Sequence, residues 1–365
     1  MSLIPEINKV KIQCLLTLTI YIFMLPLLIY KYKIIITVTN TLNMERTMKK
    51  IFIIVAICLA ITSISGCKRS TVVSKINKFN LEYEKDITYK SVDDIDLKLD
   101  IYKPINNVYD KTPVVVYIHG GSFIKGTKDN INNPLYKPTV INMLELGYAI
   151  VSIDYRLLDG NTLFPDNIVD CKDALRWINK NADVYNFDKN NIGVWGTSAG
   201  GNLALMMGST TDDSFIGDET LSEYSSSVNY VIDFFGSTDL LLSRTNNRKN
   251  VNYERLSTYY DIQFEENTSE DEQMELLQDY NELYSPIYYI SSHSVPTLIV
   301  HGTTDKLVDI SQSDLLSEAL ENNGISYKNL ALKGVGHGLI NINEEQQNNL
   351  VAEVERLLTD NYVSP

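Results

Sequence analysis

From residue 87 onward, short apolar runs alternate with stretches whose apolar residues recur every three or four positions. Ile87–Val92 and Ile95–Tyr102 read as two strands with a turn at Asp93-Asp94. Pro113–His119 (PVVVYIH), Tyr148–Tyr155 (YAIVSIDY), Asn191–Gly196 (NIGVWG), Val228–Gly236 (VNYVIDFFG) and Pro296–Gly302 (PTLIVHG) are short apolar runs, as expected of strands buried on both faces. Tyr327–Leu332 is a further predicted strand. Asp166–Asn181 carries Ile168, Cys171, Ala174, Leu175 and Ile178 at helical spacing, and helices are also predicted over Gly200–Met207, Ser311–Asn322 and Glu344–Leu358. Strands separated by helices imply an α/β fold, with a mostly parallel sheet of about eight strands covered on both faces. The two early strands would form an antiparallel edge.

One long interruption, residues 237–293, falls between two core strands. It is rich in tyrosine and acidic residues, including EENTSEDEQME (Glu265–Glu275). Insertions of this length in compact domains act as lids or binding loops, and a lid is the expectation here. Its tyrosines, Tyr253, Tyr259, Tyr260, Tyr280, Tyr284, Tyr288 and Tyr289, either line an aromatic or sugar site or pack the insertion together.

The first 67 residues follow a different pattern. Met48-Lys49-Lys50 opens a basic segment, IFIIVAICLAITSI (Ile51–Ile64) follows as an apolar run, and Ser65-Gly66-Cys67 closes it with small residues and a cysteine. That is the layout of a secretory signal over residues 48–67. Its ending, Ile64-Ser65-Gly66-Cys67, resembles a bacterial lipobox, which implies lipidation at Cys67 and a protein exported to the cell envelope and anchored to a membrane. Residues 68–84 would then be a tether and 85–360 the folded domain. Residues 1–47 contain a second apolar run, Ile12–Tyr30, long enough to span a bilayer. A signal belongs at an N-terminus, so translation is expected to begin at Met48.

Charge narrows the function. The 365-residue chain carries a formal net charge of −14, which argues against nucleic-acid binding, a function that needs clustered Lys and Arg. Of four cysteines only Cys67 and Cys171 lie outside the apolar N-terminal runs, so there is no disulfide framework. Cys171 sits on an apolar helix face and reads as core. There is no Cys-x-x-Cys pair and only four histidines, so a structural zinc site is not expected, nor is any cofactor.

The candidate chemistry centres on Gly196-Thr197-Ser198-Ala199-Gly200-Gly201. A G-x-S-x-G match alone is a weak signal, but this one follows a predicted buried strand and precedes a predicted helix, as a nucleophile elbow requires. A serine hydroxyl needs a base, and the base an orienting acid. Of His119, His293, His301 and His337, the last lies in a glycine-rich loop (GVGHG) between the final strand and helix, free to reach across the sheet. His301, inside a strand end, reads as structural. The acid should follow a strand between Ser198 and His337. Asp305 fits, with Asp309 a nearby rival and Asp239 a weaker one. Gly120 and Gly121, after the strand PVVVYIH, and the amide of Ala199 are candidates for an oxyanion hole, with His119 bracing that loop.

The phrases HGGSF, GTSAGG, LDIYKP (Leu99–Pro104), SIDYRL (Ser152–Leu157), HGTTDKLV (His301–Val308) and GVGHGL (Gly334–Leu339) together resemble α/β-hydrolase esterases of the hormone-sensitive-lipase and feruloyl-esterase-like carboxylesterase groups. The resemblance runs from about residue 87 to 358. It implies the α/β-hydrolase fold, a Ser198–His337–Asp305 triad and an oxyanion hole from Gly120, Gly121 and Ala199. The implied activity is hydrolysis of short acyl or aryl esters, with acylated carbohydrate among the substrates. Lipase relatives often carry a third glycine where this chain has Ser122, which favours the feruloyl- and acetyl-esterase-like members. Peptidase, amidase or formamidase activity on the same machinery, and a non-catalytic binding lipoprotein, are the alternatives.

Overall fold

The structure is a computed structural model that describes residues 81–364, apart from residues 93, 243–258, 261, 263 and 266. The expected signal, Cys67, the upstream apolar run, most of the tether and Tyr253 lie outside the described residues. Among the described residues, no helix is long and apolar enough to cross a membrane.

Eight strands form one sheet: β1 (Tyr83–Val92), β2 (Ile95–Tyr102), β3 (Thr112–Ile118), β4 (Ala149–Ile153), β5 (Phe187–Thr197), β6 (Val231–Phe234), β7 (Thr297–Gly302) and β8 (Tyr327–Leu332). The spatial order is β1-β2-β4-β3-β5-β6-β7-β8. β1 and β2 pair antiparallel, β2 pairs antiparallel with β4, and every later pair is parallel. The antiparallel edge and parallel centre agree with the hydrophobic pattern. β1 begins at Tyr83, inside the stretch read as tether, because Leu81 and Tyr83 bury their side chains in the core.

Helices cover both faces. On one lie α2 (Asp166–Lys180), α3 (Ala199–Ser209) and α5 (Ser311–Asn322), packing Ile168, Cys171, Leu203 and Leu316 against Val114, Val116 and Val194. On the other lie α1 (Lys137–Glu145) and α6 (Glu344–Asp360), packing Met143, Leu144, Leu350 and Val354 against Val115, Ile150 and Ile232. The central strands are therefore apolar on both sides, which explains their unbroken runs. α3 is almost wholly buried, and its small residues let it lie close to the sheet.

Two helices escape the periodic pattern. α1 starts after Tyr136 with Pro138 in its first turn. α4 (Glu270–Tyr284) lies inside the 237–293 insertion, in its most acidic part. Its start was legible: Ser269 and Glu272 form a reciprocal capping box, with Ser269 N donating to Glu272 Oε2 at 2.9 Å. Of the described tyrosines of the insertion, Tyr259 and Tyr260 are buried, Tyr280, Tyr284 and Tyr289 are half-buried and Tyr288 is exposed. Tyr284 stacks on Phe164 at 5.4 Å and Tyr260 on Tyr280 at 5.2 Å.

α2 departs from a simple amphipathic helix, because its charged positions are buried as well. Lys90 Nζ of β1 lies 2.7 Å from both Asp170 Oδ1 and Asp173 Oδ2. Arg156 Nε reaches Asp170 Oδ2 at 2.8 Å, and Arg176 reaches Asp173 Oδ1 at 3.0 Å. Removing one partner of such a set strands the other charges in a dry interior. Asp170→Ala is expected to lower stability by about 3–5 kcal/mol in chemical denaturation, against well under 1 kcal/mol for the exposed pair partner Asp183→Ala.

Candidate active site

β3, β5, β7 and β8 run parallel and end at the same edge of the sheet. Gly120, Ser198, Asp305 and His337 all follow those ends, so one edge gathers residues up to 217 positions apart in sequence.

Ser198 is a single-residue corner between β5 and α3, with φ 55° and ψ −118°. Its amide donates to Phe234 O at 2.8 Å, tying the corner to β6. A non-glycine residue held at positive φ is strained and persists only where its surroundings over-determine it. Here they do so sterically. A Cβ on Gly200 would run into the carbonyl oxygens of Ile118 and His119, and one on Gly196 into the carbonyl of Gly200. The glycines at 196 and 200 are thus demanded by close approach, as the motif implied.

The three candidate residues form one hydrogen-bonded chain. Ser198 Oγ lies 3.0 Å from His337 Nε2, and His337 Nδ1 lies 2.7 Å from Asp305 Oδ2. Asp305 Oδ1 accepts from the amides of Leu307 and Val308 at 2.8 and 3.0 Å. Burial pushes the Asp305 carboxyl up, but hydrogen bonds from His301 and His337 outweigh it and hold it well below the usual carboxylate range. With Nδ1 donating to that carboxylate, Nε2 of the neutral His337 ring accepts from the Ser198 hydroxyl. Thr304 N and Oγ1 both donate to Val335 O, so the loop carrying Asp305 is sewn to the loop carrying His337.

The rival acids have other duties. Asp309 Oδ1 accepts from Ser311 N at the start of α5. Asp239 Oδ1 accepts from the amides of Leu241 and Leu242 and from Asn281, tying together parts of the insertion. His293 is exposed, and Cys171 is buried in the core.

Gly120 and Gly121 line a cavity of about 860 Å³ whose wall also includes Ser198 and His337. Ala199 is buried directly behind the serine. Among the described residues, the amides of Gly120, Gly121 and Ala199 donate to no other group of the chain. His119 braces the glycine loop: its Nδ1 meets Gly120 O at 2.9 Å, and its ring stacks on Tyr155 at 4.2 Å. Burial pushes its pKa down to about 4, so the ring is neutral and Nδ1–H is the donor.

Two contributions were not legible in the sequence. Tyr259 of the insertion donates its hydroxyl to Ser122 O at 2.9 Å, buttressing the glycine loop from outside. The far wall of the cavity carries Lys125, Asp129, Asn130, Asn133 and Tyr136, from a stretch with no recognisable motif. Among the described residues, none from 237–293 lines the cavity, so the lid expectation and the idea of a tyrosine-lined site find no support in this part of the insertion. Residues 243–258 lie outside the description.

Residues 99–320 match the BD-FAE family. The chain belongs to that family. Its relatives include Esterase LipC of Mycobacterium tuberculosis, 27% identical over 244 residues, a match covering 66% of this chain and 56% of LipC. The chain spans about half the length of the curated relatives it matches. Among solved structures, a truncated carbohydrate esterase from gut microbiota aligns with a TM-score of 0.61 at 22% identity, over 80% of this chain and 98% of that one. The propionate-bound esterase Est2 of Thermogutta terrifontis aligns with a TM-score of 0.59 at 26% identity, over 77% of this chain and 95% of Est2. The fold is therefore that of the α/β-hydrolase esterases, as the motifs implied.

Gly→Ala inside a helix normally stabilises a protein by removing backbone freedom. At Gly200 the expected sign is reversed, since the new Cβ meets two carbonyls. Gly200→Ala is expected to lower stability by about 1–3 kcal/mol in chemical denaturation, and an unchanged or raised stability would show that the corner relaxes freely.

Proposed function

We propose that the protein is a serine esterase that cleaves carboxylic esters through an acyl-enzyme intermediate. The observation that carries this reading is the continuous chain Asp305–His337–Ser198, opening into a cavity beside undonated backbone amides. Ser198 Oγ attacks the ester carbonyl while His337 Nε2 takes its proton. Asp305 holds the ring tautomer and stabilises the imidazolium that forms. The amides of Gly120, Gly121 and Ala199 receive the developing oxyanion, aided by the N-terminus of α3. His337 then returns the proton to the departing alcohol. Water attacks the acyl-enzyme by the same route in reverse and frees the acid. All the groups required belong to the chain itself.

The proposed substrates are short acyl or aryl esters, with acylated carbohydrate as the alcohol side. Support for the small acyl group comes from the Est2 neighbour solved with propionate. Support for a hydroxylated alcohol comes from Asp129, Asn130, Asn133 and Tyr136, which put donors and acceptors into a cavity wall that also carries Ile124, Phe235 and Leu307. We further propose that the domain works at the cell envelope, lipidated at Cys67 and anchored to a membrane. This rests on the basic segment, apolar run and small residues at 48–67.

The test is hydrolysis of p-nitrophenyl acetate, butyrate and palmitate by the purified protein. Turnover is expected on the two short esters and at most weakly on palmitate. Ser198→Ala is expected to lose roughly a million-fold in kcat. No turnover by the folded protein on any ester would sink this reading and bring peptide and formamide substrates forward. Asp305→Ala is expected to lose roughly ten-thousand-fold, while Asp309→Ala keeps activity and loses only about 1 kcal/mol of stability, the net worth of one hydrogen bond. The reverse pattern would make Asp309 the acid.

A further inference from the structure

His301 closes β7 four residues before Asp305, and it is fully buried. Its Nδ1 lies 2.6 Å from Ser313 Oγ on α5. Its Nε2 faces two oxygens, Val308 O at 3.0 Å and Asp305 Oδ2 at 3.4 Å. Val308 O is a carbonyl and can only accept, so Nε2 carries a proton whether the ring is neutral or charged. In the neutral ring Ser313 donates to Nδ1, which fixes that tautomer. The N–H is therefore donated first to Val308 O, and its second, longer acceptor is Asp305 Oδ2, the same oxygen that His337 Nδ1 approaches at 2.7 Å.

We propose that His301 is a positioning residue for the reaction: its Nε2–H shares Asp305 Oδ2 with His337, aims the carboxylate and moderates how strongly it pulls on the His337 proton. The proposal rests on His337 being the general base.

The sign of the effect follows from charge. A hydrogen bond from His301 withdraws electron density from Oδ2. Without it, more negative charge faces His337, the imidazolium is favoured, and the base stays protonated to higher pH. The acidic limb of the kcat/KM profile should then move upward. The titratable groups facing the His301 ring among the described residues are Asp305 and Asp233. Asp233, on β6, has its carboxyl pushed up to about 7 by burial, with Oδ1 accepting from Gly236 N at 2.9 Å, and it acts on the ring through its charge.

The experiment measures kcat and KM for p-nitrophenyl acetate from pH 4 to 9 in the full chain and its variants. His301→Leu is expected to raise the acidic limb by about half a pH unit to one unit and lower kcat roughly ten- to a hundredfold with little change in KM. His301→Gln, whose amide nitrogen can stand where Nε2 stood, is expected to restore most of both. Asp233→Asn is expected to leave the limb in place. An unmoved limb in His301→Leu overturns the proposal. So does equal damage in Leu and Gln, or an equal shift in Asp233→Asn. If His301→Leu does not fold, ¹⁵N NMR of the wild-type protein decides, since only four histidines are present. A protonated Nε2 on His301 is expected and a bare one overturns the proposal. Wild-type protein inactive on esters would instead count against the esterase reading, and the tautomer would still be decided by NMR.

Discussion

At Ser198 the chain must leave a buried strand and enter a buried helix within one residue. Everything at the site depends on that corner. The serine takes a positive φ that its side chain disfavours, and the close approach of Gly200 to the end of β3 leaves no room for an alternative. The same contact sets the distance between the corner and the glycine loop at 120–121. The hydroxyl and the amides that face it are therefore positioned by one packing constraint. Strain of about 1–3 kcal/mol at such a residue persists because a doubly covered parallel sheet holds both ends.

A second layer of order is electrostatic. Asp305 is the hub, with one oxygen met by the amides of Leu307 and Val308 and the other by His337 at 2.7 Å, with His301 at 3.4 Å. A carboxylate so served stays ionised despite burial. It can thus orient the His337 ring without taking a proton from it. The Lys90–Asp170–Asp173–Arg176 set, joined by Arg156, plays a comparable part far from the chemistry, holding α2 against β1. Both cases follow one rule: a buried charge is tolerated when each of its hydrogen-bonding positions is met.

In the insertion at 237–293 composition alone leaves the role of the tyrosines open. Its tyrosines allow either a binding surface or internal packing, and Tyr259, Tyr260, Tyr280 and Tyr284 pack on Phe164, on Phe123 and on each other. Its visible link to the site is one hydroxyl, Tyr259 to Ser122 O, which supports the glycine loop from behind. Much of the cavity wall comes instead from residues 125–136, a polar stretch with no recognisable motif in the sequence.

The chain's own pattern was enough to indicate the alternation of buried strands and helices, the antiparallel edge, the strand–serine–helix corner and the candidates Ser198 and His337, with Asp305 beside its rivals Asp309 and Asp239. These are local signals: apolar runs, glycines two residues either side of a serine, a glycine-flanked histidine. What only the tertiary structure decided are the pairings across long separations. Lys90 with Asp170, Tyr259 with Ser122, His301 with Ser313 and Asp305, and the contact of His337 with Asp305 in place of Asp309 each depend on which side chains a twisted parallel sheet brings to the same point. A hydrogen bond or ion pair leaves no periodic trace when its two halves lie on different elements. Hydrophobic burial does leave one, because it repeats along a single strand or helix.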